Sequence, residues 1–167
     1  MDFFEVIEKR YSVRGYKDEP VKKEDLDKIL KAAALAPTAK NVQPIKVFVI
    51  DTNKNKEALK AIYPASWFYN APLVLCVAVD YDSAGKRSGD NRNFADIDGS
   101  IVMDNIILAA TALNLGTCYI GAFNPDAAKD FINSDNYTPL LFTPLGYIDA
   151  DPRVQDKKSV DEIVEYL

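Results

Sequence analysis

Hydrophobic positions along the chain change period several times, and each change marks an expected element. Asp2 precedes Phe3, Phe4, Val6 and Ile7, an arrangement that caps a short first helix. Leu26, Ile29, Leu30, Ala33 and Ala34 follow the spacing of one buried helix face, and that helix is expected to stop before Pro37. Ile45 to Asp51 reads as a strand, followed by a lysine-rich helix from Lys54 to Ile62. Leu73 to Asp80 has no polar alternation, so a central strand covered on both faces is expected. Tyr81 to Phe94 is polar, carries Gly85 and Gly89, and reads as an exposed loop. The longest helix is expected from Asp96 to Leu115, with Gly116 as its C′ residue. It is apolar over much of its circumference, which places it at the centre of the fold or at a subunit interface. Thr117 to Gly121 then reads as a short strand, Asp126 to Ile132 as a helix, Leu140 to Ile148 as a strand, and Val160 to Tyr166 as a last helix. The spacing is too irregular for repeated βαβ units, so the class is α+β with a three-layer core of sheet and helices.

Composition narrows the chemistry. A chain of 167 residues suits a single domain spanning 1–167, and no repeat, low-complexity tract or linker divides it. Twenty Lys and Arg against 25 Asp and Glu leave a net charge of -5, which argues against a broad nucleic-acid surface but permits a local basic pocket. There is no histidine, so Ser-His-Asp triads, Cys-His pairs and histidine metal sites are excluded, and no metal site is expected. Cys76 and Cys118 lie far apart in apolar runs and read as small buried hydrophobes in a reducing compartment. The N-terminus has no signal-peptide stretch, and the longest apolar run, Ala71 to Val79, is too short to span a bilayer. A cytoplasmic protein without membrane or nucleic-acid partners is expected.

Several familiar signals fail. No GxGxxG or GxxxxGK[ST] fingerprint occurs, and the basic, glycine-bounded run from Gly85 to Gly89 reads as solvated loop. Asp80, Asp82 and Gly85 match part of a calcium-loop template, but Ala84 and Asn91 stand where ligands are needed. Asp96 and Asp98 read as acids favouring the positive end of a helix dipole.

Three segments ask for more than packing. Arg10-Tyr11-Ser12-Val13-Arg14 brings two guanidinium groups and a hydroxyl close enough to converge on a phosphate or another anion. Pro37-Thr38-Ala39-Lys40-Asn41-Val42-Gln43-Pro44 is a stiff loop presenting several hydrogen-bonding groups. Leu115-Gly116-Thr117-Cys118-Tyr119-Ile120-Gly121-Ala122 offers small residues where a flat ligand can approach the backbone, with the Gly121 and Ala122 amides as donors.

In this order, and with the basic pair Lys157-Lys158 ahead of a final amphipathic helix, these segments resemble the FMN-dependent nitroreductase family over nearly the whole chain. The resemblance implies a three-layer α/β/α sandwich with a mixed, largely antiparallel sheet, and a homodimer with one FMN in each of two interface clefts. By that likeness Arg10, Tyr11, Ser12 and Arg14 hold the phosphate, ribityl chain and pyrimidine edge. Pro37, Thr38, Ala39 and Asn41 reach in from the partner subunit, while Tyr119, Ile120, Gly121 and Ala122 lie along the flavin with a backbone N–H near N5. Lys157 and Lys158 stand at the late phosphate contacts, and Arg14 and Gly121 are the candidate catalytic positions. Thr38 replaces the more usual serine, Ile45 stands where many relatives have an aromatic residue, and the late pair lacks an arginine. The chain stops at Leu167, so no long arm around the partner is expected, nor the insertion of dehalogenating relatives. Ala65 to Asn70 carries three successive aromatics, and Trp67 or Phe68 is expected to border the substrate space. The implied activity is hydride transfer from NAD(P)H through flavin N5 to an electron-poor small-molecule acceptor, nitroaromatic or quinone, by a ping-pong cycle. A specialised flavin enzyme of the same fold (a dehydrogenase or a flavin-processing enzyme) and a non-catalytic flavin-binding protein are the alternatives.

Overall fold

The computed structural model describes residues 1–152 and 155–167. Along the chain run α1 (Phe3–Lys9), α2 (Lys23–Ala34), β1 (Ile45–Asp51), α3 (Thr52–Ile62), α4 (Ser66–Tyr69) and β2 (Leu73–Val79). Then follow α5 (Ala95–Ala112), β3 (Leu115–Thr117), α6 (Pro125–Ile132), β4 (Thr138–Tyr147) and α7 (Val160–Ile163). The strands form one sheet in the order β1-β2-β4-β3, and every pairing in it is antiparallel. The expected mixed character reduces, among the described residues, to one isolated parallel bridge between Ser12 and Thr117.

Strand β2 is the centre of this arrangement, and its side chains alternate between two cores as strand geometry requires. Leu75 and Val77 face α2 and α5, where they join Ile29, Met103, Ile106 and Leu145. Val74, Cys76 and Ala78 face the other way and join Leu59, Ile62, Phe68 and Phe142. The uninterrupted apolar run is thus explained by cover on both faces rather than by parallel pairing. Each such large side chain contributes about 1.5–3 kcal/mol when fully buried, so the two layers of helix are held to the sheet mainly by these contacts.

The local signals at helix ends mostly act as read. Asp2 and Glu5 form a capping box at α1, and Asp51 caps α3 from the end of β1. However, Phe3 and Phe4 are exposed, and only Val6 of that helix is buried. Gly116 is not the C′ residue of α5. That helix ends at Ala112, and Asn114 supplies the left-handed conformation with φ 58°. Gly116 lies inside β3, where a Cβ would come within 2.9 Å of Val13 and 3.0 Å of Ile148, so its smallness serves close approach of chain segments.

The strand expected from Thr117 to Gly121 is interrupted for a definable reason. In the β3–β4 register Leu115 pairs with Tyr147 and Thr117 with Leu145, and the same register resumes where Ile120 and Phe142 exchange two 3.0 Å hydrogen bonds. Between these points Cys118 falls opposite Pro144, which has no N–H to donate. The Thr143 hydroxyl fills the gap: it accepts from the Cys118 N–H at 3.1 Å and donates to the Pro144 carbonyl at 2.9 Å. Thr143→Val is expected to leave the Cys118 amide buried without an acceptor and to cost about 1–3 kcal/mol in urea unfolding. Thr143→Ser retains the hydroxyl and is expected to cost less.

Candidate active site

Residues 10–17 run beside β3 and the end of β4 instead of packing as a simple connection. The Val13 N–H donates to the Thr117 carbonyl at 2.8 Å, Ser12 bridges Thr117, and the Lys17 N–H donates to Tyr147 at 2.9 Å. Val13 is buried against the sheet, so the alternation of an extended chain leaves Ser12 partly accessible and Arg14 exposed. The Tyr16 hydroxyl donates back to the Val13 carbonyl at 2.8 Å and fixes the turn that carries Arg14. The Tyr11 hydroxyl donates to the Ala150 carbonyl at 3.1 Å.

Arg10, Tyr11, Ser12, Arg14, Gln155 and Lys157 line a cleft of about 630 Å³. Glu8 and Lys9 line it too, so cations outnumber the one carboxylate there in a chain whose net charge is -5. Among the described residues neither Arg10, Arg14 nor Lys157 is engaged in an ion pair. Guanidinium groups left free in this way are donors for an anionic ligand. Lys158 is exposed and is not among the lining residues, whereas Gln155, which sequence reading overlooked, is.

Behind the cleft lies Cys118. Burial pushes its thiol above the ordinary value, while the Arg14 and Arg10 guanidinium groups and the Ser12 hydroxyl pull the other way. The thiol is therefore a neighbour of the arginine segment, and the next residues leave the sheet. Tyr119, Gly121 and Ala122 are exposed, while Ile120 is buried and bonded to Phe142. Neither the Gly121 nor the Ala122 amide donates to another group among the described residues. Among the described residues a Cβ at Gly121 would meet only Leu141, at an ordinary 3.6 Å, so the space beside this glycine is open.

The second loop takes a different position. Thr38 is extended, Ala39–Asn41 form one turn of 3-10 helix, and Lys40, Asn41 and Gln43 have φ of 55°, 54° and 56°. Three non-glycine residues in left-handed conformations so close together mark a backbone held by its surroundings. Thr38 Oγ1 accepts from the Gln43 N–H at 3.0 Å, and Gln43 Nε2 donates to Asn41 Oδ1 at 2.9 Å. Asp98 is not a dipole-stabilising surface acid: it is buried, and its Oδ1 accepts from the Ala39 N–H at 2.9 Å. Thr38 and Gln43 border a separate groove of about 410 Å³ with Leu30, Ala34, Ala36 and Val47. Within one chain, then, the arginine segment and the Pro37–Asn41 loop serve different clefts.

The aromatic cluster divides. Phe68 is buried in the core, edge-on to Tyr63 at 5.5 Å and to Phe142 at 6.2 Å, so it packs and does not border an open space. Trp67 is half-buried, and the Arg14 guanidinium lies 5.6 Å from its ring centroid, within cation–π range.

The arginine segment, the free amides and the strained loop all lie in stretches matched by one family model. The model of the nitroreductase family matches residues 7–67 and 63–147. The chain belongs to the nitroreductase family. Its fold superimposes with a TM-score of 0.91 on a nitroreductase family protein of Clostridium difficile 630, at 35% identity over 99% of this chain and 98% of that one. A Methanothermobacter thermautotrophicus protein, provisionally named NADH dehydrogenase/NAD(P)H nitroreductase, is 31% identical over 98% of this chain and 86% of its own length. A Bacillus subtilis protein named FMN reductase, with NAD(P)H, is 27% identical over 93% of this chain and 69% of its own length. Among the described residues of this nitroreductase-family chain, no helix is long and apolar enough to cross a membrane.

Tyr16 makes the arginine turn sensitive to alkali. Burial raises its phenol above the ordinary 10.0, so the folded state favours the neutral form. The stabilisation is complete below that value and is lost as pH rises beyond it, because the unfolded chain ionises first. Urea unfolding is expected to show stability falling above pH 10.0, and falling less steeply in Tyr16→Phe.

Proposed function

We propose that this chain is an NAD(P)H-dependent FMN oxidoreductase that works as a homodimer, each 1–167 domain contributing to two interface clefts in a cytoplasmic setting. What supports this reading is the set of cations, Arg10, Arg14 and Lys157, that among the described residues have no ion-pair partner and line one cleft, with a nearby chain segment whose Gly121 and Ala122 amides donate to no described residue. Those residues suit FMN: a phosphate needs fixed cations, and a flat ring needs uncovered backbone. FMN held there would supply the redox chemistry that couples NAD(P)H oxidation to reduction of an electron-poor nitroaromatic or quinone in a ping-pong cycle.

The protein's own part is binding, orientation and electrostatics. Arg10, Ser12 and Lys157, with Tyr11 and Lys158 alongside, hold the phosphate and ribityl groups. Arg14 would face the pyrimidine edge, where a fixed positive charge would favour the reduced cofactor. Tyr119 and Ile120 lead the chain to the free amides of Gly121 and Ala122, which would donate to the flavin ring, Gly121 near N5. Pro37, Thr38, Ala39 and Asn41 of the partner subunit close the cleft. Trp67, under Arg14, borders the space for the acceptor. No protein acid or base is required, which accords with the absence of histidine.

The dimer is supported by two features of the chain. The arginine segment and the Pro37–Asn41 loop line different clefts, so one copy offers each half of a site to a different place. Large apolar side chains also stand exposed at Phe3, Phe4, Ile97, Val160 and Ile163.

Anaerobic mixing of the FMN-loaded protein with NADH or NADPH tests the activity. Bleaching of the flavin, recovery on adding a quinone or nitroaromatic, and parallel double-reciprocal plots are expected. Failure of both nucleotides to bleach a flavin that a chemical reductant does bleach contradicts the assignment. Arg14→Ala is expected to weaken FMN binding by about tenfold, the scale of one charge-assisted hydrogen bond, and to slow reduction. Gly121→Ala is expected to leave the melting temperature unchanged yet lower FMN affinity. Full occupancy and normal turnover in Arg14→Ala would remove that residue from the site.

A further inference from the structure

Among the described residues Asp98 is the one charged side chain that is buried, at 2% exposure. It lies early in α5, yet α5 begins at Ala95 behind Phe94 and already has the exposed Asp96 to complement its dipole. Oδ1 of Asp98 accepts from the Ala39 N–H at 2.9 Å, a contact between residues 59 positions apart. Oδ2 is buried with no hydrogen-bond partner among the described residues. A carboxylate placed in this way is costly, and starting the helix does not require it.

The other side of Ala39 is equally constrained. A Cβ on Gly85 would come within 3.0 Å of the Ala39 Cβ and 3.4 Å of its carbonyl oxygen. Ala39 is thus seated between an acceptor that holds its amide and a residue that leaves room for its methyl group. The next residues, Lys40 and Asn41, are left-handed, a conformation that relaxes unless neighbours over-determine it. The Thr38–Gln43 and Gln43–Asn41 bonds tie the loop to itself, whereas Asp98 ties it to the body of the fold.

We propose that Asp98 is a positioning residue for the flavin site. Its carboxylate fixes Ala39, and through Ala39 the placement of Thr38 and Asn41, so that the loop meets FMN in the partner's cleft already shaped. This rests on the flavin reading above. The bond from the Ala39 N–H to Asp98 is the contact that ties the middle of the loop to α5, while the Asp80 N–H holds its end at the Pro44 carbonyl.

The test compares Asp98→Ala, Asp98→Asn and Ala39→Pro with the unaltered protein, measuring FMN dissociation constants by flavin fluorescence and unfolding by circular dichroism. Asparagine retains an acceptor for the Ala39 amide. Proline removes the donor and sets its Cδ where the hydrogen was, so Asp98 must withdraw, while Thr38 at φ -132°, ψ 157° already suits a residue before proline and Ala39 opens its helical turn. Asp98→Ala and Ala39→Pro are expected to weaken FMN binding by about tenfold, and Asp98→Asn by no more than about threefold. In an Asn41→Ala background the effect of Asp98→Ala on FMN binding is expected to shrink, because the contact that the anchor positions is already gone, while its effect on unfolding stays the same. FMN binding as tight in Asp98→Ala as in the unaltered protein, or full additivity with Asn41→Ala, overturns the inference. Should Asp98→Ala not fold, Ala39→Pro carries the same comparison, and unchanged binding there overturns it. Unaltered protein that binds no FMN overturns the flavin reading itself, and the positioning role with it.

Discussion

A missing hydrogen-bond donor organises the site. Pro144 stands in the interior strand β4 opposite Cys118, and the ladder that joins β3 to β4 has no N–H to use there. The Thr143 hydroxyl bridges the gap, and the register is recovered at Ile120. Because the ladder is not continuous, the chain between Cys118 and Ala122 is free to turn Tyr119 and Gly121 outward while Ile120 stays anchored in the core. Residues 10–17 dock on the outer edge of β3, where Ser12 and Val13 meet Thr117, and on the end of β4, where Lys17 meets Tyr147. The arginine segment beside Thr117 and the outward amides that follow it in the chain thus share one margin of the sheet.

Electrostatics then separates this margin from the rest of an acidic surface. Arg10, Arg14 and Lys157 gather without ion-pair partners among the described residues, whereas Lys23, Lys28, Lys54, Lys60 and Arg87 are paired with nearby acids. Surface pairs of that kind add little stability, and leaving the cleft cations unpaired costs little too. The strained Pro37–Pro44 loop is the opposite case: its conformation is expensive and is held by bonds within the loop and by one buried carboxylate. The cleft is permissive and the loop is rigid, a combination suited to a ligand that is gripped by charge and shaped by backbone.

Much of this was legible in the sequence where a signal was local or repetitive. The run from Leu73 to Val79 announced a strand covered on both faces, the Ile29–Ala33 face announced α2, and the spacing of Arg10, Ser12 and Arg14 announced side chains that line one cleft. Signals that depend on distant partners were not legible. Gly116 looked like a helix terminator because glycine commonly is one, but Asn114 took that conformation and Gly116 answers to Val13 and Ile148 across the fold. The extent of β3 depended on Pro144, a residue that pairs only after folding. Asp98 resembled any acid in a first helical turn, and its bond to Ala39 lies far away in the chain. Phe68 and Trp67 are adjacent and chemically alike, yet one is core and the other lies against Arg14, a division set by which side of a single helical turn faces β4.

In the proposed shared site neither copy of the chain completes the flavin pocket alone. Sedimentation velocity of the FMN-loaded protein, recorded at the flavin's visible band and at the protein band through a dilution series, tests it directly. The flavin is expected to sediment with the dimer, at one per subunit, and to be released as the protein falls to monomer. Flavin that sediments stoichiometrically with the monomer would contradict the shared site.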